Sequence, residues 1–117
     1  MMFKPVLYLL TASVLMATHP ARAEPDLVAR GRRFAELVCS TCHRVSEDKT
    51  QIPLARDPGP AFVEIAGRSS TTDASLRAFL ANDHPNMGPS ARMPNPQLVD
   101  YQIEEVVAYI LSLRRRP

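Results

Sequence analysis

The sequence predicts an all-α domain of three main helices and one short helix. Apolar residues recur at three- and four-residue intervals in three separate stretches, proline-rich segments divide those stretches, and no run alternates with the period of two that marks a half-buried strand. The chain carries no internal repeat and no low-complexity tract.

Residues 1–23 read as a cleavable secretory signal. Lys4 supplies the positive start, residues 6–17 the apolar centre, and Ala21-Arg22-Ala23 an Ala-x-Ala cleavage site, so that residues 24–117 form a single mature domain beginning at Glu24. The apolar run is short for a membrane anchor, and His19 and Pro20 follow it at once. The first helix is expected over 26–42, with Pro25 tolerated near its start and Leu27, Gly31, Phe34 and Val38 on one face. Glycine is a poor helix former, so Gly31 predicts that another helix packs closely against it.

Residues 44–60 are polar and interrupted by Pro53, Pro58 and Gly59-Pro60, which makes them a loop. A short helix follows over 60–66, opened by Pro60 and stopped by Gly67. The third helix covers 72–83, with Thr72 or Asp73 as N-cap, Leu76, Phe79 and Leu80 at helical spacing, and Pro85 ending it. Residues 84–96 carry five proline or glycine residues around Met87 and Met93 and should be extended and stiff. The last helix spans 99–114, striped by Val99, Ile103, Val106, Val107, Ile110 and Leu111. Glu104 and Glu105 near its start and arginines at its end suit the helix dipole.

Of the 14 basic and 12 acidic residues, the leader removes only Lys4 and Arg22, leaving 12 of each. Formal neutrality withdraws any argument from net charge for nucleic-acid or membrane affinity. Arg30, Arg32, Arg33 and Arg44 cluster near the cysteines and Arg114-Arg115-Arg116 closes the chain. They read first as solvated faces and a soluble tail, with a docking patch as the alternative. Fewer than a hundred mature residues make a marginal core that needs a staple.

Cys39-Ser40-Thr41-Cys42-His43 supplies one. These are the only two cysteines, and Cys-x-x-Cys-His is the attachment signature of a c-type haem. Two sulfurs so spaced at a helix end can each add to one vinyl group of the same porphyrin. His43 then falls beneath the iron, leaving the opposite position for a second residue, a small ligand or nothing. A thioredoxin-like dithiol would need a strand before the motif and a helix after it. A zinc site would have to use Cys39, Cys42, His43 and His84, two of them adjacent. A plain disulfide is sterically possible but gives His43 no role. The haem reading also predicts that the haem-free chain is largely unfolded.

Taken together, Gly31-x-x-Phe34, Cys39-x-x-Cys42-His43, Gly59-Pro60, Met93-Pro94 and the ending Val107-Ala108-Tyr109-Ile110-Leu111-Ser112-Leu113 resemble a class I c-type cytochrome of the small monohaem type. The resemblance covers nearly the whole mature chain. It implies a cytochrome c fold around one covalent haem c per chain, with first and last helices crossing so that Gly31 faces Tyr109. It also implies that the Pro60 carbonyl accepts from the free N–H of His43, the proximal ligand. The distal ligand in such proteins is a methionine in a proline-containing loop before the last helix. Met93 matches that motif, Met87 is the alternative, and His84 is a further competitor. Related chains often carry a Ser or Thr cap where this one has Val99, so Asp100 or Asn95 is expected to cap instead. With no Trp to bond a propionate, Arg56, Arg68 or a tyrosine would have to serve; the sequence does not choose among them, and Arg68 is put first.

If both axial positions are filled, no substrate reaches the iron and the protein passes single electrons. The expectation is therefore a monomeric periplasmic one-electron carrier, not an enzyme, with transient donor and acceptor redox proteins and neither nucleic acid nor stable membrane insertion. Transfer would run through the haem edge near Cys42, with Arg30 and Arg44 steering the partner. Its rivals are a haem-bearing electron-transfer subunit of a periplasmic oxidoreductase complex and a ligand-binding or peroxidatic protein with an open sixth position.

Overall fold

In the computed structural model the described residues, 23–82 and 93–114, form four helices and no strand. They are α1 (Ala23–Val38), α2 (Phe62–Gly67), α3 (Asp73–Ala81) and α4 (Asp100–Ser112). The all-helical class is the one the apolar periodicity predicts. Residues 1–22 of the expected leader over 1–23, together with His84, Met87, Arg115 and Arg116, lie outside the described residues. No helix among the described residues is long and apolar enough to cross a membrane.

The core is organised on α4, against which α1, α2 and α3 all pack. Its Ile103, Val106, Val107, Tyr109 and Ile110 are buried, together with Ala35 of α1, Phe62 and Ala66 of α2, and Leu76 and Leu80 of α3. Val99 and Phe79, expected in the stripes, are exposed. The α1–α4 crossing centres on Gly31. A Cβ there would stand 1.9 Å from the Glu105 carbonyl oxygen and 2.9 Å from Tyr109 Cβ, so the backbones meet where only hydrogen fits. Arg30 fastens the crossing, its Nε donating to Glu105 Oε1 at 2.7 Å while its guanidinium also pairs with Asp26. Arg32 is likewise held by Glu36 at 2.8 Å. Two of the arginines that might have steered a partner are therefore tied to carboxylates on their own surface.

Helix ends depart from expectation where local side chains or, at α2, a distant carbonyl take the backbone groups. α1 stops at Val38 instead of reaching Cys42: Cys39 N still makes the helical bond to the Ala35 carbonyl at 2.9 Å, but Ser40 N reaches back to that same carbonyl at 3.1 Å instead of to Glu36. Ser40 Oγ then donates to the Glu36 carbonyl at 2.6 Å and closes the end. Val38 is 47 % exposed, while Val28, Phe34, Ala35 and Cys39 are the α1-side residues that join or pack on the core. α2 begins at Phe62, two residues later than expected. The Phe62 N–H goes to the Arg44 carbonyl at 2.9 Å and the Ala61 N–H to Glu64 Oε2 at 3.2 Å.

At α3 the expected cap holds: Thr72 Oγ1 accepts from Ser75 N at 3.0 Å and Ser75 Oγ accepts from Thr72 N at 2.8 Å. At α4 neither Asp100 nor Asn95 supplies the cap. Gln102 reaches back instead, its Oε1 accepting the Val99 N–H at 3.1 Å. Arg114 joins the end of α4 to α2, donating to the carbonyls of Ala66 at 3.2 Å and Thr71 at 2.5 Å.

Gly31→Val should lower holoprotein stability by about 1–3 kcal/mol, because the helix backbones must separate. Gly67 has nothing within 4 Å of its would-be Cβ. Gly67→Ala should therefore be neutral or stabilise by about 0.4–1 kcal/mol through the unfolded chain. Thermal unfolding of both variants checks the contrast.

Candidate functional site

Residues 39–44 leave α1 in one tight turn, closed by His43 N to the Cys39 carbonyl at 2.9 Å. Residues 55–62 clamp this turn from the side. The Ala55 N–H bonds the Thr41 carbonyl at 2.9 Å, Gly59 N the Cys42 carbonyl at 2.7 Å and Phe62 N the Arg44 carbonyl at 2.9 Å. Residues 44–60 form the loop that their prolines predict, but its far end is stitched onto the cysteine turn residue by residue.

His43 is 8 % exposed, and its Nδ1 lies 2.8 Å from the Pro60 carbonyl oxygen. A carbonyl only accepts, so Nδ1 carries the proton and Nε2 is left with its lone pair. This is the contact the resemblance implied. Pro60 can serve because its carbonyl lies before the first turn of α2 and is not taken up by the helix. Gly59 is part of the same arrangement: a Cβ there would sit 2.4 Å from His43 Cε1 and 2.7 Å from Nδ1. Only glycine lets the backbone lie against the imidazole, a role the Gly59-Pro60 pair did not disclose. Phe62 flanks the imidazole at a ring separation of 5.5 Å and passes the packing on to Tyr109 at 6.4 Å.

Beyond His43, Val45 is fully buried and its carbonyl accepts from Tyr109 Oη at 2.8 Å. The segment after the imidazole is thus tied to α4 across 64 positions of sequence. Burial pushes the Tyr109 hydroxyl above the usual tyrosine range. Gln51 Oε1 gathers Val45 N, Ser46 N and Ser46 Oγ, at 3.0, 3.1 and 3.1 Å. From Gln51 to Ala55 the chain alternates half-buried and exposed, and it is the aliphatics that face outward: Ile52 is 81 % and Leu54 88 % exposed. Leu37, two residues before Cys39, is 82 % exposed.

Cys39 is half-buried and Cys42 exposed, and no disulfide joins them. Burial and the neighbouring Cys42 push the Cys39 thiol up to about 11. Such a thiol holds almost no thiolate at neutral pH and does not suit dithiol exchange. Among the described residues no three Cys, His, Asp or Glu side chains gather as a metal cage. The features that are assembled fit a haem instead: two unbonded thiols on one turn, a tautomer-fixed imidazole with its second nitrogen unprotonated, and large exposed aliphatics, Leu37, Ile52 and Leu54, on the segments that lead into and bond to that turn.

Met93 is half-buried and packs against the core formed with α4. Arg68, put first among the propionate candidates, stands exposed just past α2, on a rim shared with Val63, Gly67, Ser69 and Arg114. No described contact brings it to His43 or the cysteines. Arg56 is also exposed, and Tyr109 already donates its hydroxyl to Val45. Arg44 has a buried Nε without a hydrogen-bond partner.

The family model described as Cytochrome c matches residues 28–114, which takes in the turn, the clamp, Met93 and all of α4. No curated protein and no solved structure matches the chain.

Gly59→Ala should displace the imidazole and cost about 1–3 kcal/mol, seen as a lowered melting temperature together with a changed ferric Soret spectrum. Tyr109 gives a pH test. Its hydroxyl holds its proton more tightly in the folded chain than the unfolded value of about 10. The corresponding stability is whole below that pH and is lost as pH rises toward the folded value. Wild type should therefore lose stability above about pH 10 more steeply than Tyr109→Phe, as followed by denaturant unfolding at several pH values.

Proposed function

The chain belongs to the cytochrome c family, whose members hold haem c covalently and transport electrons, and on that premise we propose that it is an exported, monomeric one-electron carrier of the periplasm. The observation that carries the reading is the His43 Nδ1–Pro60 contact at 2.8 Å with Gly59 against the ring, which leaves Nε2 as the donor to iron. When bound, the haem supplies a one-electron iron couple. Cys39 and Cys42 hold the porphyrin through thioethers, His43 is the proximal ligand, and Met93 is the distal ligand, with Met87 as its alternative. Arg68 is kept as the partner of a propionate.

With side chains on both sides of the iron, substrates are excluded and the protein acts as a carrier, not an enzyme. Electrons leave near Cys42, the exposed member of the pair. Donor and acceptor are redox proteins that bind transiently. Because Arg30 and Arg32 are held by Glu105, Asp26 and Glu36, they contribute less to steering than their number suggests. Residues 1–23 serve as the leader, and the mature domain is 24–117.

The ferric visible spectrum of the holoprotein, set beside those of Met93→Ala and Met87→Ala, tests the ligand set. The weak red sulfur-to-iron band should vanish in Met93→Ala and survive in Met87→Ala; the reverse pattern would move the ligand to Met87. The reduced protein should not bind carbon monoxide at neutral pH. Ready binding would mean an open sixth position and favour a ligand-binding or peroxidatic protein.

A further inference from the structure

The chain between Met93 and α4 is more closely determined than a connection of six residues requires. Pro94 and Pro96 fix their own φ and hold the residues before them, Met93 and Asn95, away from helical backbone. Gln97 then has φ of 51°, the one positive φ at a non-glycine position among the described residues. Its N–H is accepted by Asn95 Oδ1 at 2.8 Å, which locks the turn. Leu98 packs on the core, and the Val99 N–H is taken by Gln102 at 3.1 Å. At the other end, Met93 lies half-buried against the same core.

Entry into α4 does not explain the left-handed turn, since Gln102 already satisfies the first free N–H of that helix. Glycine at position 97 would adopt the same backbone without steric penalty. A side chain kept in this region indicates surroundings that over-determine it, and such positions gather at ligand clamps. We propose that Asn95 and Gln97 are positioning residues for the sixth iron ligand. The Asn95-locked turn at Gln97 fixes the direction from which Met93 is presented and prevents it from swinging away. The inference rests on Met93 being the distal ligand. Asn95 supplies the acceptor that holds the turn, and Gln97 supplies a pivot with fewer accessible conformations than glycine would have.

Imidazole added to the ferric holoprotein competes with the native sixth ligand and so reads how firmly that ligand is held. Asn95→Ala should bind imidazole about tenfold more tightly than wild type, as loss of one restraining hydrogen bond implies. Asn95→Asp, which offers the same acceptor, should stay within about threefold. Gln97→Gly separates positioning from stability: melting temperature should hold or rise as the strain is relieved, while imidazole affinity increases. A turn that serves only the fold would give tighter retention of the ligand with the higher stability, and that result overturns the proposal. So does unchanged imidazole affinity in Asn95→Ala, or an Asn95→Asp variant that behaves like the alanine. Should Asn95→Ala give no holoprotein, Gln97→Gly carries the test. If Met93→Ala retains the red band, the ligand assignment falls and this inference with it. If Met93→Ala loses the band while the Asn95 and Gln97 variants leave imidazole affinity unchanged, only the positioning claim falls.

Discussion

The hydrogen bond from His43 Nδ1 to the Pro60 carbonyl is the contact on which the rest of the arrangement depends. It selects one tautomer, orients the imidazole, and joins the cysteine turn to the start of α2. It requires Gly59, because any side chain there would occupy the ring's own space. It also requires the carbonyl of Pro60 to stay outside the helix, which delays α2 to Phe62. The same stretch of chain then places Phe62 between His43 and Tyr109. One polar contact in this way sets where a helix begins, where the aromatic packing runs and which nitrogen is free to bind metal.

α4 is the other half of the frame. It holds α1 through the Gly31 approach and the Arg30–Glu105 pair, and the segment behind His43 through the Tyr109 hydroxyl. It receives the loop carrying Met93 through Leu98, at the end where Gln102 closes the helix. The segment behind His43 and the loop of Met93, the proposed distal ligand, are therefore both referred to a single helix. A small core of short helices gains a common reference in this way, and a covalently held porphyrin would extend that core with a large apolar plate.

Much of this was legible in the chain. A glycine inside a helix stripe disfavours the helix by itself, so Gly31 marked a close crossing before any coordinates were known. Cys39-x-x-Cys42-His43 carries its chemistry in its spacing, and Thr72, one of two cap candidates, marks the start of α3, although its reciprocal partner Ser75 is visible only in the fold. The misreadings share a cause. Periodicity shows which face of a helix is apolar but not how far the partner extends along it, so Val38 and Val99 were placed in the core although they are exposed. Local signals for helix ends fail where a distant group takes the backbone partner, as at Phe62, whose N–H goes to the Arg44 carbonyl. The Tyr109–Val45 bond spans 64 positions and leaves no local trace. The left-handed turn at Gln97 was hidden because no glycine announces it.

The central claim is that this domain is built around one haem fixed by Cys39 and Cys42 and ligated by His43. The reduced spectrum of the purified, denatured protein in alkaline pyridine tests it most directly. The account predicts a c-type haem band in an amount equal to one haem per chain, retained through acid–acetone extraction and lost when both cysteines are replaced by alanine. An extractable haem, or no haem band at all from protein matured in an export-competent host, would contradict it.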